Sequence, residues 1–490
     1  MKNNKTHSFF SEEELPEDDF ELESSLESDC YKCGLYRKVH SPKMKPTGKG
    51  KKECLIIAES PGGREDERGI QLIGQAGQRK RNELKKHGLN LDRDFWKTNA
   101  LACRPFEKTL TGTKNRTPSR QELSFCKPLL DKTIKELNPK FIWLLGGKAI
   151  ESFYMHKFSN TSVTRWRGLC IPDRTTGSYI LPMYHPSYII RSSKDYNLLS
   201  VWERDIENAA NALYLDPFEF VDEDKQVKCL YDFDEICDVL DKVLEEEPEN
   251  FVYDYETTGL KPYAPGHKIV SISFCYDENV AYSFPFDYKD YWSPLMFRQI
   301  RKRWRKILKN PNIGKIAHNL KFEDVWTKQL LKVNVNNWIW DTMLASHVTD
   351  NRSAFTSLNF QVYINFGRLP YDTEIKPFLR AVNANAFNKI EKAPLDKLLH
   401  YGGLDPLYCF KLFNKQVEQF ENAYDYTNVD GKQLVDAYYL LHDGTLALSK
   451  VEQNGICVDE KYYNSLSTKD NTGVLDKRIT KLEKYLEEGK

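Results

Sequence analysis

The chain has 490 residues, of which 40% are hydrophobic and 29% charged, and its 71 basic and 71 acidic side chains balance to zero. One hydrophobic core rarely serves a chain of this length, so we expect two to four domains. The charge balance alone gives no sign of a nucleic-acid partner. No apolar stretch reaches the length of a membrane span and no signal peptide follows Met1, so we expect a cytoplasmic protein without a membrane partner.

Charge is distributed unevenly along the chain. Residues 11–29 carry ten acidic side chains and no basic ones, which predicts an acidic disordered tail over residues 1–27. Residues 32–52 carry eight Lys or Arg, and a second basic run covers residues 301–309. Each basic run either meets phosphates or forms a solvated face.

The predicted elements fall into two α/β blocks followed by helices. In chain order they are a strand at Glu53–Ala58, a helix near Gln78–His87, a strand at Phe141–Leu145, a helix at Lys148–Tyr154, a helix at Phe233–Leu244 and a strand at Phe251–Glu256. Residues 216–224 form a bridge between the blocks, and from about Leu295 to Phe420 we expect mostly helix. Strands that end in glycine turns before helices are typical of α/β folds.

Four cysteines are candidate ligands in the first block. Cys30 and Cys33 form a C-x2-C pair, and Cys103 and Cys126 lie in polar sequence farther along. Four thiolates hold either a tetrahedral zinc ion or an iron–sulfur cluster, and the spacing does not choose between them.

Several segments of this block, in order, resemble the iron–sulfur uracil-DNA glycosylases, families 4 and 5 of that superfamily. They are Ala58-Glu59-Ser60-Pro61-Gly62, Gly74-Gln75-Ala76-Gly77, Asn99 to Pro105, Arg167-Gly168 and Tyr184-His185-Pro186-Ser187-Tyr188. The resemblance implies a glycosylase-like α/β/α sandwich over residues 28–215. It also implies a [4Fe–4S] cluster on Cys30, Cys33, Cys103 and Cys126.

The same resemblance implies roles for four side chains. His185 would stabilise charge on a departing base, Asn99 would read the pyrimidine edge, and Glu59 would lie beside the water and the sugar. Arg191, which follows the histidine motif, is expected to contact DNA. A glycosylase also has to flip its base out of the stack, at a cost of about a few kcal/mol.

One position departs from that family. Leu72 stands where the family usually has a phenylalanine that stacks on the uracil, and leucine has no π-face to offer a base. Leu72 is thus at the expected base-contacting position, and we expect either a weakened glycosylase or a retained DNA-binding module.

The second block carries spaced carboxylates. Asp254 and Glu256 occupy alternate positions of a predicted strand and therefore share one face. Two neighbouring carboxylates repel each other unless a cation lies between them. Farther along, Asn319 and Glu323 are spaced i, i+4 on a predicted helix, which places them on one face.

Tyr401 lies one helical turn before Asp405, and together with the earlier acids this pair resembles the DEDDy 3′–5′ exonuclease family. The resemblance implies a ribonuclease H-like fold, with a mixed sheet and helices, over residues 216–430. It also implies two Mg²⁺ or Mn²⁺ ions on Asp254, Glu256 and Asp405, with Tyr401 orienting the attacking water.

The resemblance leaves the fourth acid open, because Glu323 stands where the family normally has Asp and Asp324 follows it. Helical geometry favours Glu323. Thr257, Thr258 and Asn319 are expected to contact the terminal nucleotide.

Residues 431–490 are predicted to be helical, and Leu448 to Asp459 is similar to the entry into the thumb of family A DNA polymerases. The whole order resembles the polymerases of certain large Bacillus phages. We therefore expect the N-terminal part of such a polymerase, truncated or encoded in pieces, acting in the bacterial host cytoplasm if phage-encoded. It would proofread single-stranded 3′ ends of DNA, with uracil-containing DNA as a second substrate and a palm and fingers module in cis or in trans.

Three alternatives remain open from the sequence. One is a free-standing DNA repair glycosylase and nuclease, and another is a non-catalytic DNA-binding scaffold that keeps only the folds. The third is a DEDDy enzyme that acts on RNA.

Overall fold

The structure is a computed structural model that describes residues 30–110, 112–422, 434–466 and 473–487. The predicted acidic tail lies outside these residues. The chain divides into two compact units, Met1–Tyr438 and Tyr439–Lys490. Within the described ranges, no helix has both the length and the apolar character needed to cross a membrane.

The first α/β region is built on a five-stranded sheet. Its strands are β1 (Cys54–Ala58), β2 (Phe95–Asn99), β3 (Phe106–Thr109), β4 (Gly112–Asn115), β5 (Phe141–Leu145), β6 (Ile171–Asp173) and β7 (Ser178–Met183). The sheet order is β2-β1-β5-β7-β6, with only β6 antiparallel to its neighbour, while β3 and β4 form a separate antiparallel pair.

Helices cover both faces of this sheet. They are α1 (Gly63–Arg68), α2 (Gln75–Lys86), α3 (Arg120–Leu137), α4 (Gly147–Phe153), α5 (Val163–Trp166), α6 (Pro186–Arg191) and α7 (Tyr196–Ala212). Every residue of β1 and β5 is buried, because parallel strands covered on both sides have no solvent face. The predicted α/β class is confirmed, and predicted strand and helix bounds agree with the structure to within a few residues.

The second α/β region has a six-stranded mixed sheet in the order β13-β12-β9-β10-β11-β8. Its strands are β8 (Val227–Cys229), β9 (Asn250–Thr257), β10 (Ile269–Asp277), β11 (Val280–Pro285), β12 (Gly314–Ala317) and β13 (Trp338–Asp341). The expectation of mostly helix from about Leu295 to Phe420 is confirmed, but that span also contains β12 and β13, which the sequence did not indicate. These four-residue strands are too short to show a period in the sequence, and sheet pairing rather than local pattern defines them.

The helices of this region lie on both faces of the mixed sheet. They are α8 (Phe233–Glu246), α9 (Pro294–Lys309), α10 (Leu320–Trp326), α11 (Thr342–Thr349), α12 (Leu358–Phe366), α13 (Lys376–Leu379) and α14 (Leu395–Asn422). Aromatic side chains of β9 pack with α9 on one face, where Trp304 Nε1 donates a hydrogen bond to the Tyr255 hydroxyl at 2.9 Å. The long helix α14 packs on the other face.

The two α/β regions share one apolar cluster. Phe360 and Tyr363 of α12 lie among core residues of the first region, and the Tyr363 hydroxyl donates to Asp173 at 2.8 Å. Arg174 donates to the carbonyl of Phe366 at 2.8 Å and pairs with Glu223 at 2.7 Å. The first compact unit therefore contains both regions around a joint core.

The second compact unit is helical, as predicted. It contains most of α15 (Leu434–Asn454), from Tyr439 onward, together with α16 (Glu460–Leu466) and α17 (Val474–Glu487). Many of its large apolar side chains are exposed, among them Leu440, Leu448, Val451, Ile456, Tyr462, Tyr463, Ile479 and Leu482.

Candidate active sites

Three carboxylates of the second region converge on one face of the mixed sheet. Asp254 and Glu256 project from β9 toward α14, because their strand neighbours Tyr253 and Tyr255 take up the opposite, aromatic face. Asp405 projects from α14, and one ligand oxygen from each of the three acids lies within 4.8 Å of the others. Such a group has the donor chemistry and spacing of a divalent-cation site.

Helix α14 approaches the sheet closely at two glycines. A Cβ atom on Gly403 would lie 2.4 Å from a side-chain carbon of Val227, and one on Gly402 would lie 3.4 Å from the hydroxyl of Ser273. The Gly402-Gly403 pair therefore lets the turn between Tyr401 and Asp405 press against β8 and β10 of the sheet whose strand β9 carries the other acids.

Burial makes ionisation of these acids costly. It raises the pKa of Asp254 and of Glu256 well above the ordinary range, and Asp405 raises both further. Burial also raises the pKa of Asp405 to about 7, although hydrogen bonds from Tyr371 and Tyr401 oppose the rise. Like charges this close cannot all ionise at neutral pH without a compensating cation.

The structure brings Glu323, rather than Asp324, to this group. Glu323 is buried, and its Oε2 has no hydrogen-bond partner among the described residues. Burial and then Asp254 raise its pKa well above the ordinary range. Asp324 instead accepts a hydrogen bond from Trp338 Nε1 at 3.4 Å. Of the two alternatives, Glu323 is the one that faces the acids.

Asn319 is not on the helix with Glu323, which corrects the i, i+4 expectation. It stands before α10 in the left-handed conformation, with φ of 78°. Asp341 accepts the backbone N–H groups of Asn319 and Leu320 at 3.0 and 2.9 Å and so fixes this turn. Asp341 therefore fixes the conformation of this turn, and Asn319 does not share a helical face with Glu323.

The expected nucleotide contacts Thr257 and Thr258 are both buried. The Thr257 hydroxyl donates to the carbonyl of Gly259 at 2.7 Å, and the Thr258 hydroxyl lies 3.0 Å from His267 Nδ1. Both side chains therefore hold the shape of the loop after β9, and their hydroxyls are used within the protein.

Tyr371 is a site residue that the sequence analysis missed. Its hydroxyl donates to Asp405 Oδ1 at 2.5 Å, and its ring lies 5.9 Å from that of Tyr401. It comes from the segment after α12, where no spacing relative to the acids marks it. Only the fold brings it beside Asp405.

The basic run 301–309 lies on α9, behind the aromatic face of β9. Arg303 pairs with Asp241 at 2.9 Å, and Arg301 donates to the carbonyl of Leu330 at 2.9 Å. This helix is therefore on the side of the sheet opposite to the acids.

Polar side chains of the first region meet at the carboxyl ends of its parallel strands. Glu59 follows β1, Asn99 ends β2, and His185 caps α6. A Cβ atom on Gly146, whose φ is 90°, would lie 2.5 Å from Glu59 Oε1 and 2.9 Å from His185 Cβ. Glycine at this turn allows the carboxylate and the imidazole to lie side by side.

His185 is held as a neutral ring with a defined tautomer. Its Nδ1 accepts the backbone N–H of Ser187 at 3.2 Å, which leaves the ring proton on Nε2. Burial, and then Arg191, lower the pKa of His185 to about 4. Burial raises the pKa of Glu59, whose Oε1 accepts the backbone N–H of Lys148 at 3.1 Å.

Asn99 and Arg191 complete the polar set in different ways. Asn99 is buried, and its Nδ2 has no hydrogen-bond partner within the described part of the chain. Such a donor is free to read a ligand's acceptor. Arg191 is exposed at the end of α6 and electrostatically close to both Glu59 and His185.

Leu72 does not face outward as expected for a base-contacting residue. Its side chain is 6% exposed and belongs to the apolar cluster behind the sheet, and its φ is 55°. A Cβ atom on Gly77 would lie 1.7 Å from the Leu72 carbonyl oxygen, so Gly77 permits this turn. The structure therefore leaves Leu72 little surface to offer a base.

The four predicted cysteines come together. Cys30, Cys33, Cys103 and Cys126 line one cavity whose other walls are mainly apolar. Cys103 Sγ accepts the Lys43 N–H, and Cys126 Sγ accepts the Ala102 N–H, each at 3.3 Å. Burial raises the pKa of Cys103 to about 11 and of Cys126 to about 12, so these thiols stay protonated unless a metal takes them.

Each of the two α/β regions matches a known protein family. Residues 46–206 match the uracil DNA glycosylase superfamily, and residues 226–421 match the 3′–5′ exonuclease family. A type-4 uracil-DNA glycosylase of Thermotoga maritima is 32% identical over 155 residues, which are 32% of this chain and 74% of that protein. Through its first region the chain belongs to the uracil DNA glycosylase superfamily, and its second region is a 3′–5′ exonuclease domain.

A more extended relative spans both regions. The DNA polymerase of Bacillus phage SP01 is 24% identical over 479 residues, which cover 92% of this chain and 48% of that polymerase. The chain thus spans about half the length of this relative. Escherichia coli RNase D is similar at 12% identity with a TM-score of 0.34, over 49% of this chain and 54% of that one.

Proposed function

We propose that this chain is the N-terminal portion of a replicative DNA polymerase and that its exonuclease domain proofreads the 3′ end of DNA. The observation that carries the proposal is the convergence of Asp254, Glu256 and Asp405 within 4.8 Å. Its context, a chain similar along nearly its whole span to a phage DNA polymerase, supports DNA as the substrate.

Each acid of the exonuclease site would have a distinct part. Asp254, Glu256 and Asp405 would hold two divalent ions, Mg²⁺ or Mn²⁺, with Glu323 as the fourth acid. When bound, such ions polarise the scissile phosphate and stabilise charge on the attacking and leaving oxygens. Tyr371 donates a hydrogen bond to Oδ1 of Asp405 and would orient that carboxylate for metal binding. Tyr401 would orient the attacking water.

A matched pair of 5′-labelled oligonucleotides, one DNA and one RNA, tests the substrate. With Mg²⁺ we expect stepwise shortening of single-stranded DNA from its 3′ end, and we expect chelator to stop it. Faster cutting of the RNA would favour the RNA-directed alternative, and no cutting of either by the intact protein would favour a non-catalytic scaffold.

For the first region we propose a DNA-binding module that accepts a base. The Nε2 proton of His185 and the unpaired Nδ2 of Asn99 are donors suited to the carbonyl oxygens of a pyrimidine. Arg191 would contact a phosphate. Because Leu72 is packed inward, we expect excision of uracil to be slow or absent.

We propose that the thiol cavity holds a [4Fe–4S] cluster. The residues fit such a group, because four cysteines line one apolar cavity and two of the sulfur atoms accept backbone N–H groups, which stabilise thiolate charge. When bound, the cluster ties the segment near Cys30 to the segments that carry Cys103 and Cys126. Anaerobically purified protein should contain about four irons per chain. One zinc per chain without iron would refute the cluster.

The proposed partner of the C-terminal unit is a polymerase palm and fingers module, in cis or in trans. The exposed apolar side chains of α15 to α17 supply a surface for it, and the phage relative is about twice as long as this chain. Primer extension should be absent with this chain alone. Extension by this chain alone would contradict the proposal.

A further inference from the structure

Tyr371, the tyrosine that bonds to Asp405, lies outside regular secondary structure. Residues 367–372, here named the tyrosine segment, follow directly on α12 and belong to neither a helix nor a strand. Within its own region the Tyr371 ring stacks on Tyr408 of α14, with the ring centres 5.6 Å apart. A side chain on such a segment is placed only as well as the contacts that fix its backbone. What holds the tyrosine segment therefore decides how Tyr371 meets Asp405.

The start of the tyrosine segment is pressed against the first α/β region. Gly367 has a φ of 69°, and a Cβ atom on it would lie 1.6 Å from the carbonyl oxygen of Pro172 in β6. Real Cβ atoms do not come so close to another atom, so any side chain here would force the two backbones apart. Gly367 thus allows direct backbone contact between the end of α12 and β6.

Arg174, the first residue after β6, holds the same place from the side. Its Nε donates to the carbonyl of Phe366 at 2.8 Å, and this carbonyl, the last of α12, has no partner within the helix. Its two Nη atoms donate to the Glu223 carboxylate at 2.7 Å each. Glu223 is buried, so the guanidinium is fixed by a carboxylate that is itself held in the protein. Arg174 therefore ties the end of α12 to the first region.

Two more contacts flank this point. Before it, the Tyr363 hydroxyl donates to Asp173 at 2.8 Å, and after it, Arg368 donates to both oxygens of Asp224 at 2.9 and 2.8 Å. Pro370 then limits the freedom of the backbone before the tyrosine. The chain is thus fixed from α12 up to the residue that reaches the exonuclease site, and much of that support comes from residues 172–174.

We propose that the first region positions Tyr371 in the exonuclease site and that Arg174 is a positioning residue of the nuclease. The proposal rests on the proposed metal-dependent exonuclease function. Pro172 and Arg174 fix the end of α12, this end fixes the tyrosine segment, and Tyr371 then orients Asp405 through its hydrogen bond. The glycosylase-like region therefore serves the nuclease even where it excises no base.

The test measures metal binding directly as well as activity, using the full chain. Mn²⁺ is titrated without DNA, and free Mn²⁺ is followed by electron paramagnetic resonance. Asp254→Ala with Glu256→Ala reports binding elsewhere on the chain, which is subtracted. The same proteins then shorten 5′-labelled single-stranded DNA over a range of Mg²⁺ concentrations.

Two variants disturb the contact by different means. Arg174→Lys keeps a positive charge opposite Glu223 but loses the planar fork that reaches Phe366, and Gly367→Ala pushes the tyrosine segment away from β6. Each should weaken Mn²⁺ binding and raise the Mg²⁺ concentration at half-maximal rate by about three- to tenfold. That is less than the about 10- to 100-fold typical of a group that contacts the ligand itself.

Each variant has a matched control in the first region. Arg116→Lys changes another arginine whose two Nη atoms donate to one carboxylate, that of Glu122. Gly177→Ala adds a Cβ atom at nearly the same φ, 68°, in the turn after β6, where no atom of the described residues lies within 4 Å of it beyond its chain neighbours. The controls repeat the chemical change and the backbone strain without touching the tyrosine segment. Both should leave metal affinity unchanged.

A double variant separates positioning from general destabilisation. If Arg174 acts through the Tyr371 hydroxyl, Arg174→Lys with Tyr371→Phe should bind Mn²⁺ as weakly as Tyr371→Phe alone, because the hydroxyl is already gone. Losses that add in the double variant would overturn the proposal.

The remaining outcomes distinguish this proposal from the one on which it rests. Wild-type Mn²⁺ binding no greater than that of the variant without both strand acids overturns the metal site and the positioning together. Wild-type binding at the acids that Arg174→Lys and Gly367→Ala leave unchanged overturns the positioning alone, and the exonuclease assignment then stands.

Discussion

The two candidate sites differ in what each lacks. In the exonuclease domain, Asp254, Glu256, Asp405 and Glu323 crowd together with raised pKa values, so the site lacks positive charge. In the glycosylase-like region, the polar groups are placed and partly unpaired, but Leu72 is turned into the core. At position 72 that site has no aromatic ring against which a base could stack.

The exonuclease site lacks positive charge, whereas the base site lacks an aromatic surface at position 72. A deficit of charge is supplied by ions from solution, so the exonuclease site is ready for metal. A deficit of shape has to be supplied by the chain itself, and a stacking face cannot come from solution. We therefore expect vigorous nuclease activity and weak base excision from the same molecule.

Removing both strand acids should abolish the nuclease. Asp254→Ala with Glu256→Ala removes two proposed metal ligands worth several kcal/mol of transition-state stabilisation, so shortening of single-stranded DNA should slow by on the order of a thousand-fold or more. The matched control is Asp324→Ala, whose carboxylate bonds to Trp338 instead, and it should stay within a few-fold of wild type. Only a few-fold loss in the double variant would contradict the assignment.

Removing the Tyr371 hydroxyl should have an intermediate effect. Tyr371→Phe frees Asp405 from its 2.5 Å hydrogen bond, and loss of a partner that orients a ligand typically costs about 10- to 100-fold in metal affinity or activity. The signature is a higher Mg²⁺ concentration at half-maximal rate. Tyr408→Phe, in the ring stacked on Tyr371, is the control and should leave the Mg²⁺ dependence unchanged. An unchanged Mg²⁺ dependence in Tyr371→Phe would rule out this role.

Restoring an aromatic ring at position 72 tests the deficit of shape. Because the Leu72 side chain packs inward, Leu72→Phe restores stacking only where the new ring turns out of the apolar cluster toward the base site. Base–aromatic stacking is worth roughly 1–3 kcal/mol, so that turn should raise uracil excision by about five- to a hundred-fold, measured as abasic sites in Asp254→Ala protein. Leu84→Phe, in the same apolar cluster, is the control and should not raise it. Fast excision by wild type, unchanged in Leu72→Phe, would show that position 72 is not what limits the site.

The smallest effect concerns a buried lysine beneath the base site. Lys80 lies between Trp143 and Trp202, and burial lowers its pKa to about 7. An unfolded lysine titrates near 10.4, so between these pH values the unfolded chain binds more protons and the free energy of unfolding rises with pH. Lys80→Met should raise Tm by several degrees at pH 7 and flatten this rise.

The control for that change is Lys86→Met, which alters an exposed lysine on the same helix. Thermal unfolding of both variants at several pH values checks the expectation. An equal Tm change in the two variants, or no dependence on pH, would show that burial of Lys80 carries no such cost.

Much of the exonuclease site was predictable because several of its functional residues lie only two to four positions apart in the sequence. The alternation of Asp254 and Glu256 on a strand and the single turn from Tyr401 to Asp405 survive into the structure unchanged. The choice of Glu323 over Asp324 needed the actual direction of α10. Tyr371 could not be foreseen, because its place beside Asp405 depends on the path of the chain after α12.

In the first region, too, some features were predictable from the sequence and others depend on the fold. Strands β1 and β5 were predicted from the glycine turns that follow them, whereas the cluster on four cysteines was implied by the family resemblance rather than by their spacing. The inward packing of Leu72 depends on a left-handed backbone at a leucine, which local propensity disfavours. The joint core formed by Trp166 and Tyr363 is a long-range contact that joins two segments with no local sign of pairing.

One experiment measures the central contrast directly. Wild-type protein is incubated with single-stranded DNA that carries a 5′ label and one internal uracil, with Mg²⁺ or with chelator, and the products are resolved before and after cleavage at abasic sites. We expect rapid stepwise shortening from the 3′ end with Mg²⁺, none with chelator, and few abasic sites in either case. Abasic sites that form faster than the strand shortens, or shortening that persists in chelator, would contradict it.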